Sequence, residues 1–518
     1  MLFNSYIFLF LFLPITLATY YLLGHFRARW AALWLCLTSL VFYGWWNPQF
    51  VALLAGSILF NYMVGLAILQ RADKPRQQRW VLIVGVVANL SMLLHYKYFT
   101  ALLGALADWG LVSHGGVHDI ILPLGISFFT FTQIGYLLDC RAGAVTDSRP
   151  LSYVLFVTFF PHLIAGPILH HHEMMPQFSR PESYRFKAEN LSVGTTLFII
   201  GLAKKVLLAD SIAPYADAGF DNPGQLALFS AWGTSLAYAL QIYFDFSGYS
   251  DMALGLAKMF GIRFPLNFNS PYKAASIIEF WARWHMTLTR YLTAYLYYPV
   301  AMSVARRRAK LGQATGVAGQ RTLNGYIAMI VWPTCFTMAL AGVWHGAGLQ
   351  YLIFGLLHAA YLSINHGWRI FMHARPAATS QLGKTGSRIA CVLLTFVAVL
   401  VAQVFFRANG VGDAMTLLRA MVGLNGVETV FATFGTQVLS PQASMQTLGI
   451  LFLLAIAWGA PNSHQILGHA SPALIKGKTQ ASPLCWQPRL LWLAASTFGL
   501  LLCLVNLHKE SRFLYFQF

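Results

Sequence analysis

Two histidines stand inside otherwise apolar stretches of this 518-residue sequence. His345 lies in the motif GVWHG between two long apolar runs, and His285 lies in the motif EFWARWHMTL. Imidazole is the usual general base near neutral pH, and an ionisable side chain at membrane depth is a functional candidate by default. We therefore predict His345 and His285 as catalytic residues. The alternative is that each is a buried polar residue satisfied by a neighbouring helix.

Further polar residues cluster close to these histidines in the sequence. Residues 241–251 carry two carboxylates at the end of an apolar run, where a charge is costly unless it is paired. On a continuous helix Glu279 would pair with Arg283, and His285 would point about 160° away from Arg283. A purely structural role stays open for all of them. The candidates for a substrate or tunnel lining are Asp245, Ser247, Tyr249, Asp251, Arg283, Trp344 and His358.

Other familiar reaction chemistries have little support in the sequence. Three consecutive histidines at 170–172 cannot all point at one ion, so we predict no metal site. The six cysteines are scattered and contain no CxxC pair. The sequence also has no GxSxG, HExxH or Gly-rich phosphate motif. A covalent serine mechanism within this chain is therefore not predicted.

The elements that position these residues are predicted to be membrane helices. Charged residues make up 10% of the chain and apolar residues 57%, whereas soluble chains carry about 25% charge. The excess of 35 Lys+Arg over 17 Asp+Glu gives +18 and lies in loops between apolar runs. This pattern predicts an all-α polytopic membrane protein and no nucleic-acid partner.

The basic loops predict an orientation, because Lys and Arg favour the cytoplasmic side. They place the N-terminus and the C-terminal tail outside the cytoplasm. Residues 153–169 are predicted as a re-entrant segment, 170–187 as a cytoplasmic loop and 277–300 as one further long helix. The turn at His345 is predicted at membrane depth between two half-helices.

Several motifs resemble those of one protein family. They are PLGISF at 123–128, FPHLIAGP at 160–167, YFDFSGYSDMALG at 243–255, EFWARWHMTL at 279–288 and GVWHG at 342–346. Taken in order, they resemble the membrane-bound O-acyltransferase (MBOAT) family, and within it the AlgI-like proteins of alginate O-acetylation. The resemblance extends over nearly the whole chain.

The resemblance implies a fold and a reaction. The fold is a ring of about 11 tilted transmembrane helices plus re-entrant segments around a thin centre, with a cytoplasmic funnel. Residues 1–507 would form one integral-membrane domain in the bacterial inner membrane. His345 would be the catalytic histidine and His285 a second important position. Acetyl-CoA would be the donor substrate, with no permanently bound cofactor.

The same resemblance implies partners. The acetyl group would be delivered to an exopolysaccharide such as alginate by an SGNH-type periplasmic partner within a polysaccharide synthesis and export complex, with membrane lipid around the chain. Alternatives are D-alanyl or acetyl transfer to teichoic acid, peptidoglycan or cellulose. From other classes, a small-solute transporter and a non-catalytic secretion scaffold also stay open.

The extracytoplasmic tail, residues 508–518, ends in FLYFQF. It resembles the C-terminal motif of the small companion protein used in teichoic-acid D-alanylation. The tyrosine of that motif matches Tyr515, which we predict as a possible acyl relay. A phenol with a pKa near 10 makes an ester that can pass its acyl group on. The alternative is an aromatic anchor at the membrane interface.

Overall fold

A computed structural model describes residues 1–111, 120–372, 381–427, 441–474, 484–507 and 513–514. Within these ranges the regular structure is helical, apart from one isolated bridge between Pro265 and Leu474. The chain divides into two compact units. The first contains residues 1–207, 246–266 and 463–517, and the second contains 208–245, 267–462 and residue 518.

The first unit holds the N-terminal helices and the last two helices of the described chain. They are α1 Leu13–Phe26, α2 Ala28–Gly44, α3 Gln49–Leu69, α4 Pro75–Asp108, α5 Ile126–Arg141, α6 Pro150–Thr158, α7 Phe160–Leu163, α8 His171–Phe178, α9 Ala188–Ala203, α22 Ser463–Leu467 and α23 Leu490–Asn506. The long helix α11, Leu228–Met259, belongs to this unit from Phe246 onward.

The second unit holds the remaining helices. They are α10 Asp210–Asp221, the first part of α11, α12 Ile277–Trp281, α13 Met286–Leu292, α14 Tyr298–Lys310, α15 Gly316–Gln320, α16 Leu323–Tyr326, α17 Trp332–His345, α18 Leu349–Phe371, α19 Gln381–Arg407, α20 Val411–Met421 and α21 Pro441–Gly459. Helices α17 and α18 pack against each other as an antiparallel pair, and α18 also packs on α19 and α12.

Six helical stretches in the described part of the chain are long and apolar enough to cross a membrane, and a seventh results if one bent pair forms a single span. The six are Phe8–Phe26, Gln49–Leu69, Pro75–Gly104, Ala188–Asp221, Leu323–His345 and Thr385–Arg407. Their apolar residues face outward in large numbers, as lipid-facing helices require. The protein is therefore a multi-pass membrane protein, while the predicted ring of about 11 helices is not confirmed.

Among the residues that the structure describes, four π-helical stretches interrupt or extend these helices. They are Phe8–Phe12, Lys204–Ala209, Thr293–Tyr297 and Ile327–Val331. The last three join α9 to α10, α13 to α14 and α16 to α17, so each apparent long helix contains a local insertion. Such insertions rotate the residues that follow them around the helix axis and often occur near functional sites.

Two local predictions are wrong. Residues 277–300 do not form one helix, because four residues from Ala282 to His285 break it between α12 and α13. Residues 170–187 are not a continuous loop, because helix α8 begins at His171. The segment predicted as re-entrant contains α6 and α7 with a bend at Phe159, followed by buried non-helical residues. Its entry and exit on one membrane face stay a prediction.

Candidate active site

His345 is the last residue of α17, where the chain leaves the helix for a three-residue connection to α18. Gly346 is extended there, and a side chain at this position would overlap the ring of Tyr351. The imidazole is buried among aromatic rings, 4.9 Å from Phe406 and 6.1 Å from Phe354 between ring centroids. Trp344 is also buried, with its ring 4.7 Å from that of His345. At the predicted turn the imidazole is thus buried and surrounded by aromatic side chains.

His358 continues this aromatic cluster one helix further on. Its ring lies 4.7 Å from Phe354, and Trp281 of α12 donates its indole N–H to His358 Nδ1 at 3.3 Å. An indole nitrogen can only donate, so Nδ1 of His358 is the unprotonated nitrogen and the proton of the neutral ring lies on Nε2. This bond ties α12, which precedes His285, to α18, which follows His345.

His285 lies in the break between α12 and α13. Its backbone is left-handed, with φ 41° and ψ 51°, which an L-residue with a β-carbon rarely adopts. The predicted helical wheel therefore does not apply, although the side chain is buried. Unusual backbone geometry of this kind persists only where the surroundings hold it, and it is typical of functional sites.

Asn267 holds the His285 ring. Its Oδ1 lies 3.1 Å from His285 Nδ1 and accepts hydrogen bonds from the backbone N–H and the hydroxyl of Thr287, at 3.3 and 2.8 Å. A backbone N–H can only donate, so this atom of Asn267 is the oxygen, and His285 Nδ1 must carry a proton to bond to it. His285 Nε2 is then the basic nitrogen of the neutral ring.

Burial keeps His285 neutral. This residue lies outside the candidate membrane spans, and desolvation lowers its pKa to about 3. A neutral imidazole with its proton fixed on Nδ1 can accept a hydrogen bond at Nε2 throughout the physiological pH range.

Arg283 has a structural role in the same break. It pairs with Glu279 at 2.6 Å, as predicted, and its backbone oxygen accepts from the N–H of Asn269 at 2.9 Å. Met286 N–H donates to the backbone oxygen of Asn267 at 2.9 Å. These bonds fasten the segment that carries Asn267 to the segment that carries His285.

The remaining candidates from residues 245–251 divide between the two units. Asp245 is buried in the second unit, and Ser247 is buried in the first. In the first unit Tyr249 stacks on Phe3 at 4.9 Å and meets Phe513 at 4.8 Å, while Asp251 pairs with Lys204 at 2.6 Å. Packing therefore accounts for Tyr249, and ion pairing accounts for Asp251.

Tyr515 lies outside the described residues, so its place relative to the histidines stays a prediction. Phe513, two residues earlier, is described and is buried in the first unit, where the ammonium of Lys205 lies 4.6 Å from its ring centre. A cation held over an aromatic face is a favourable contact that helps to anchor this part of the tail.

Sequence reasoning missed Asn267, Phe354 and Phe406. Asn267 precedes His285 by 18 residues and belongs to no recognised motif, although an amide in the apolar run FPLNF could have drawn notice. No sequence pattern distinguishes Phe354 and Phe406 from the other phenylalanines in apolar helices. In the described part of the chain no group of three or more His, Cys, Asp or Glu side chains could hold a metal ion.

The model of the membrane-bound O-acyltransferase family matches residues 40–317. This range includes Asn267 and His285 and ends before His345. It covers more than half of the chain, and the helical fold with several membrane-length helices agrees with it. The chain belongs to the membrane-bound O-acyltransferase family and is an O-acyltransferase.

Curated relatives align over much more of the chain. The peptidoglycan O-acetyltransferase of Helicobacter pylori is 41% identical over 82% of this chain and 81% of its own length. The probable alginate O-acetylase AlgI of Pseudomonas aeruginosa is 38% identical over 81% of this chain and 75% of its own. The teichoic acid D-alanyltransferase of Bacillus subtilis is 27% identical over 48% of this chain and 60% of its own.

Proposed function

We propose that this O-acyltransferase moves acetyl groups from cytosolic acetyl-CoA across the bacterial inner membrane for O-acetylation of a cell-envelope polysaccharide. The observation that carries the proposal is the 41% and 38% identity to two O-acetyltransferases over four fifths of the chain. Both act on a carbohydrate polymer of the envelope by name. The D-alanyl relative covers about half of the chain, which favours acetyl as the group transferred.

His345 is the catalytic base in this proposal. Its ring is enclosed by Trp344, Phe354 and Phe406, and an unprotonated ring nitrogen of an imidazole can act as a general base. The base takes the proton of an attacking hydroxyl while that oxygen bonds to the thioester carbonyl. The C–S bond then breaks, and the imidazolium returns the proton to the leaving sulfur, giving coenzyme A with a free thiol.

Tyr515 supplies the attacking hydroxyl in the fuller form of the proposal. The acetyl group then rests as a phenyl ester at the outer end of the chain. An SGNH-type periplasmic partner within the polysaccharide export complex takes it from there, and the phenol oxygen regains a proton. The burial of Phe513, two residues before Tyr515, supports a tail that packs against the protein.

The acceptor is an exopolysaccharide such as alginate in the main proposal. Peptidoglycan is the second candidate, and the 41% identity to a peptidoglycan O-acetyltransferase supports it. The two differ in where the ester is found. Mild alkali releases O-acetyl groups as acetate, so the two polymers can be assayed separately.

The test is a deletion strain complemented with variants of this chain. We expect acetate released from the acceptor polymer to fall to the deletion level with His345→Ala, because general-base catalysis contributes roughly 10²–10⁴-fold. If the phenol carries the acetyl group, Tyr515→Phe should lower the released acetate to the same level. Phe518→Leu in the same tail is the control and should retain activity. Membrane levels of each variant are measured by immunoblotting. Full acetylation with His345→Ala contradicts the catalytic role, and full acetylation with Tyr515→Phe contradicts the relay alone.

A further inference from the structure

A polar pocket of ≈ 250 Å³ lies in the first unit. Segments from three parts of the chain line it: the end of α8 with the turn that follows, the start of α9, and the end of α11 with the residues after it. The lining residues are Gln177, Arg180, Glu182, Ser183, Lys187, Asn190, Lys258, Gly261 and Arg263. The pocket therefore has four cationic side chains and one carboxylate.

The cations of this pocket are not neutralised by ion pairs. Arg180, Lys187 and Arg263 form no salt bridge with any carboxylate among the residues that the structure describes. Lys258 is buried, and its ammonium donates to the backbone oxygens of Ala470 and Ser471 at 3.5 Å each. Burial lowers the pKa of Lys258, the negative charge of Glu189 raises it, and the like charges of Arg263 and Lys187 lower it. Several positive charges thus converge on one cavity.

The wall of the pocket is built by specific bonds. The Gln177 amide donates to the backbone oxygen of Arg263 and accepts from its N–H, both at 2.9 Å. The Ser183 hydroxyl donates to the backbone oxygen of Gln177 at 2.7 Å. Gly261 has φ 74°, and a β-carbon there would lie 2.6 Å from the backbone oxygen of Ser183. The positions of Arg263 and Ser183 are therefore fixed relative to each other.

Topology alone does not explain this arrangement. Basic residues on the cytoplasmic side need only be exposed and scattered to orient a membrane protein. Here one lysine is buried, and three further cations share a cavity with the amide of Asn190. Cationic groups combined with a neutral N–H donor match the oxygens of a phosphate group.

We propose that this pocket binds phosphate groups of a ligand on the cytoplasmic side of the membrane. Coenzyme A carries a diphosphate and a 3′-phosphate, so the pocket would hold the nucleotide end of the acyl donor. That assignment rests on the proposed function, whereas phosphate binding does not. An anionic phospholipid headgroup presents the same chemistry, and the experiment separates the two sources.

The test measures coenzyme A binding to the purified full chain in neutral detergent by calorimetry at low salt. The double variant Lys187→Gln/Arg263→Gln removes two exposed charges from the pocket and leaves the buried Lys258 in place. We expect the Kd to rise about tenfold or more, because charged hydrogen bonds to phosphate are strong. Inorganic phosphate should compete with coenzyme A, and added salt should weaken binding more for the unchanged protein than for the variant.

The matched control is Arg306→Gln/Arg307→Gln, which removes two exposed charges from the end of α14. Its Kd should equal that of the unchanged protein.

A parallel experiment uses native mass spectrometry to count the phosphatidylglycerol and phosphatidylcholine molecules that the protein retains from mixed nanodiscs. Loss of phosphatidylglycerol by the pocket variant, with coenzyme A binding unaltered, assigns the phosphate to a lipid headgroup.

Equal binding of coenzyme A and of both lipids by the pocket variant and the unchanged protein overturns the proposal. Polymer acetylation is measured in the same strains. If acetylation by the unchanged protein is absent while the pocket variant loses phosphate binding, the proposed function fails and the pocket stands. If acetylation is present and binding is unaltered in the pocket variant, the pocket proposal fails alone.

Discussion

At the scale of single residues, the hydrogen bonds of His285 and His358 place the ring proton on different nitrogens. His285 has its proton on Nδ1, facing Asn267, whereas His358 accepts at Nδ1 from Trp281. His285 therefore presents a basic Nε2 and His358 a protonated one. This difference favours His285 over His358 as a hydrogen-bond acceptor at Nε2.

The buried His285 makes stability depend on pH. Its pKa is lowered to about 3 in the folded protein, against about 6.5 in the unfolded chain. Below pH 6.5 the unfolded chain binds a proton that the folded protein does not, so this contribution to stability is present above pH 6.5 and is lost as the pH falls toward 3. Between pH 7 and pH 5 we expect a loss of about 2 kcal/mol from this residue.

The measurement is the free energy of unfolding in detergent at several pH values for the unchanged protein and for His285→Gln. Glutamine keeps a donor for Asn267 but does not titrate, so its stability should fall less steeply on acidification. Parallel curves for the two proteins would show that His285 titrates alike in the folded and unfolded states.

At the scale of helices, the approach of α17 and α18 positions His345. Gly342 and Gly355 face each other across this helix pair, and a β-carbon on Gly342 would lie 3.2 Å from Gly355 Cα. A β-carbon on Gly355 would overlap the backbone oxygen of Met338. Small residues allow membrane helices to pack this closely.

Gly355→Val should therefore separate the two helices and displace the aromatic shell of His345. We expect a loss of about 1–3 kcal/mol in stability, as for other overpacked interiors, together with a drop in polymer acetylation. Gly56→Val is the matched control, because nothing lies within 4 Å of a β-carbon at Gly56 on α3. Thermal unfolding in detergent and the acetate assay check both variants, and equal results for the two would argue against a packing role of Gly355.

At the scale of the whole molecule, the distribution of basic residues predicts the orientation. Arg306, Arg307, Arg308 and Lys310 end α14. They form part of the largest basic group in the sequence, which should face the cytoplasm. The C-terminal tail should lie outside, where a periplasmic partner could collect an acetyl group from Tyr515.

Alkaline phosphatase fusions test this orientation, because the enzyme needs disulfides that form outside the cytoplasm. A fusion after Phe518 should be active, and a fusion at Gln313, in the loop after α14, should be inactive. Expression of both fusions is checked by immunoblotting. Activity at Gln313 together with inactivity at Phe518 would invert the orientation and exclude a relay from Tyr515 to the periplasm.

Composition and local motifs were sufficient for the class of protein and for its family. Apolar runs of membrane length must form helices, because backbone groups in lipid have to bond within their own segment. The ion pair between Glu279 and Arg283 was also predictable, since residues four apart meet on one turn. His345 and His285 stood out because imidazole is rare in such runs.

Only the tertiary structure decided how these residues are held. The break that places His285 in a left-handed conformation depends on bonds to Asn267 and Asn269, which precede the break along the chain. The bond from Trp281 to His358 joins residues 77 apart. Helical periodicity predicts contacts only between residues within about one turn of the same helix. Contacts between side chains that are distant in the sequence are determined by packing between helices.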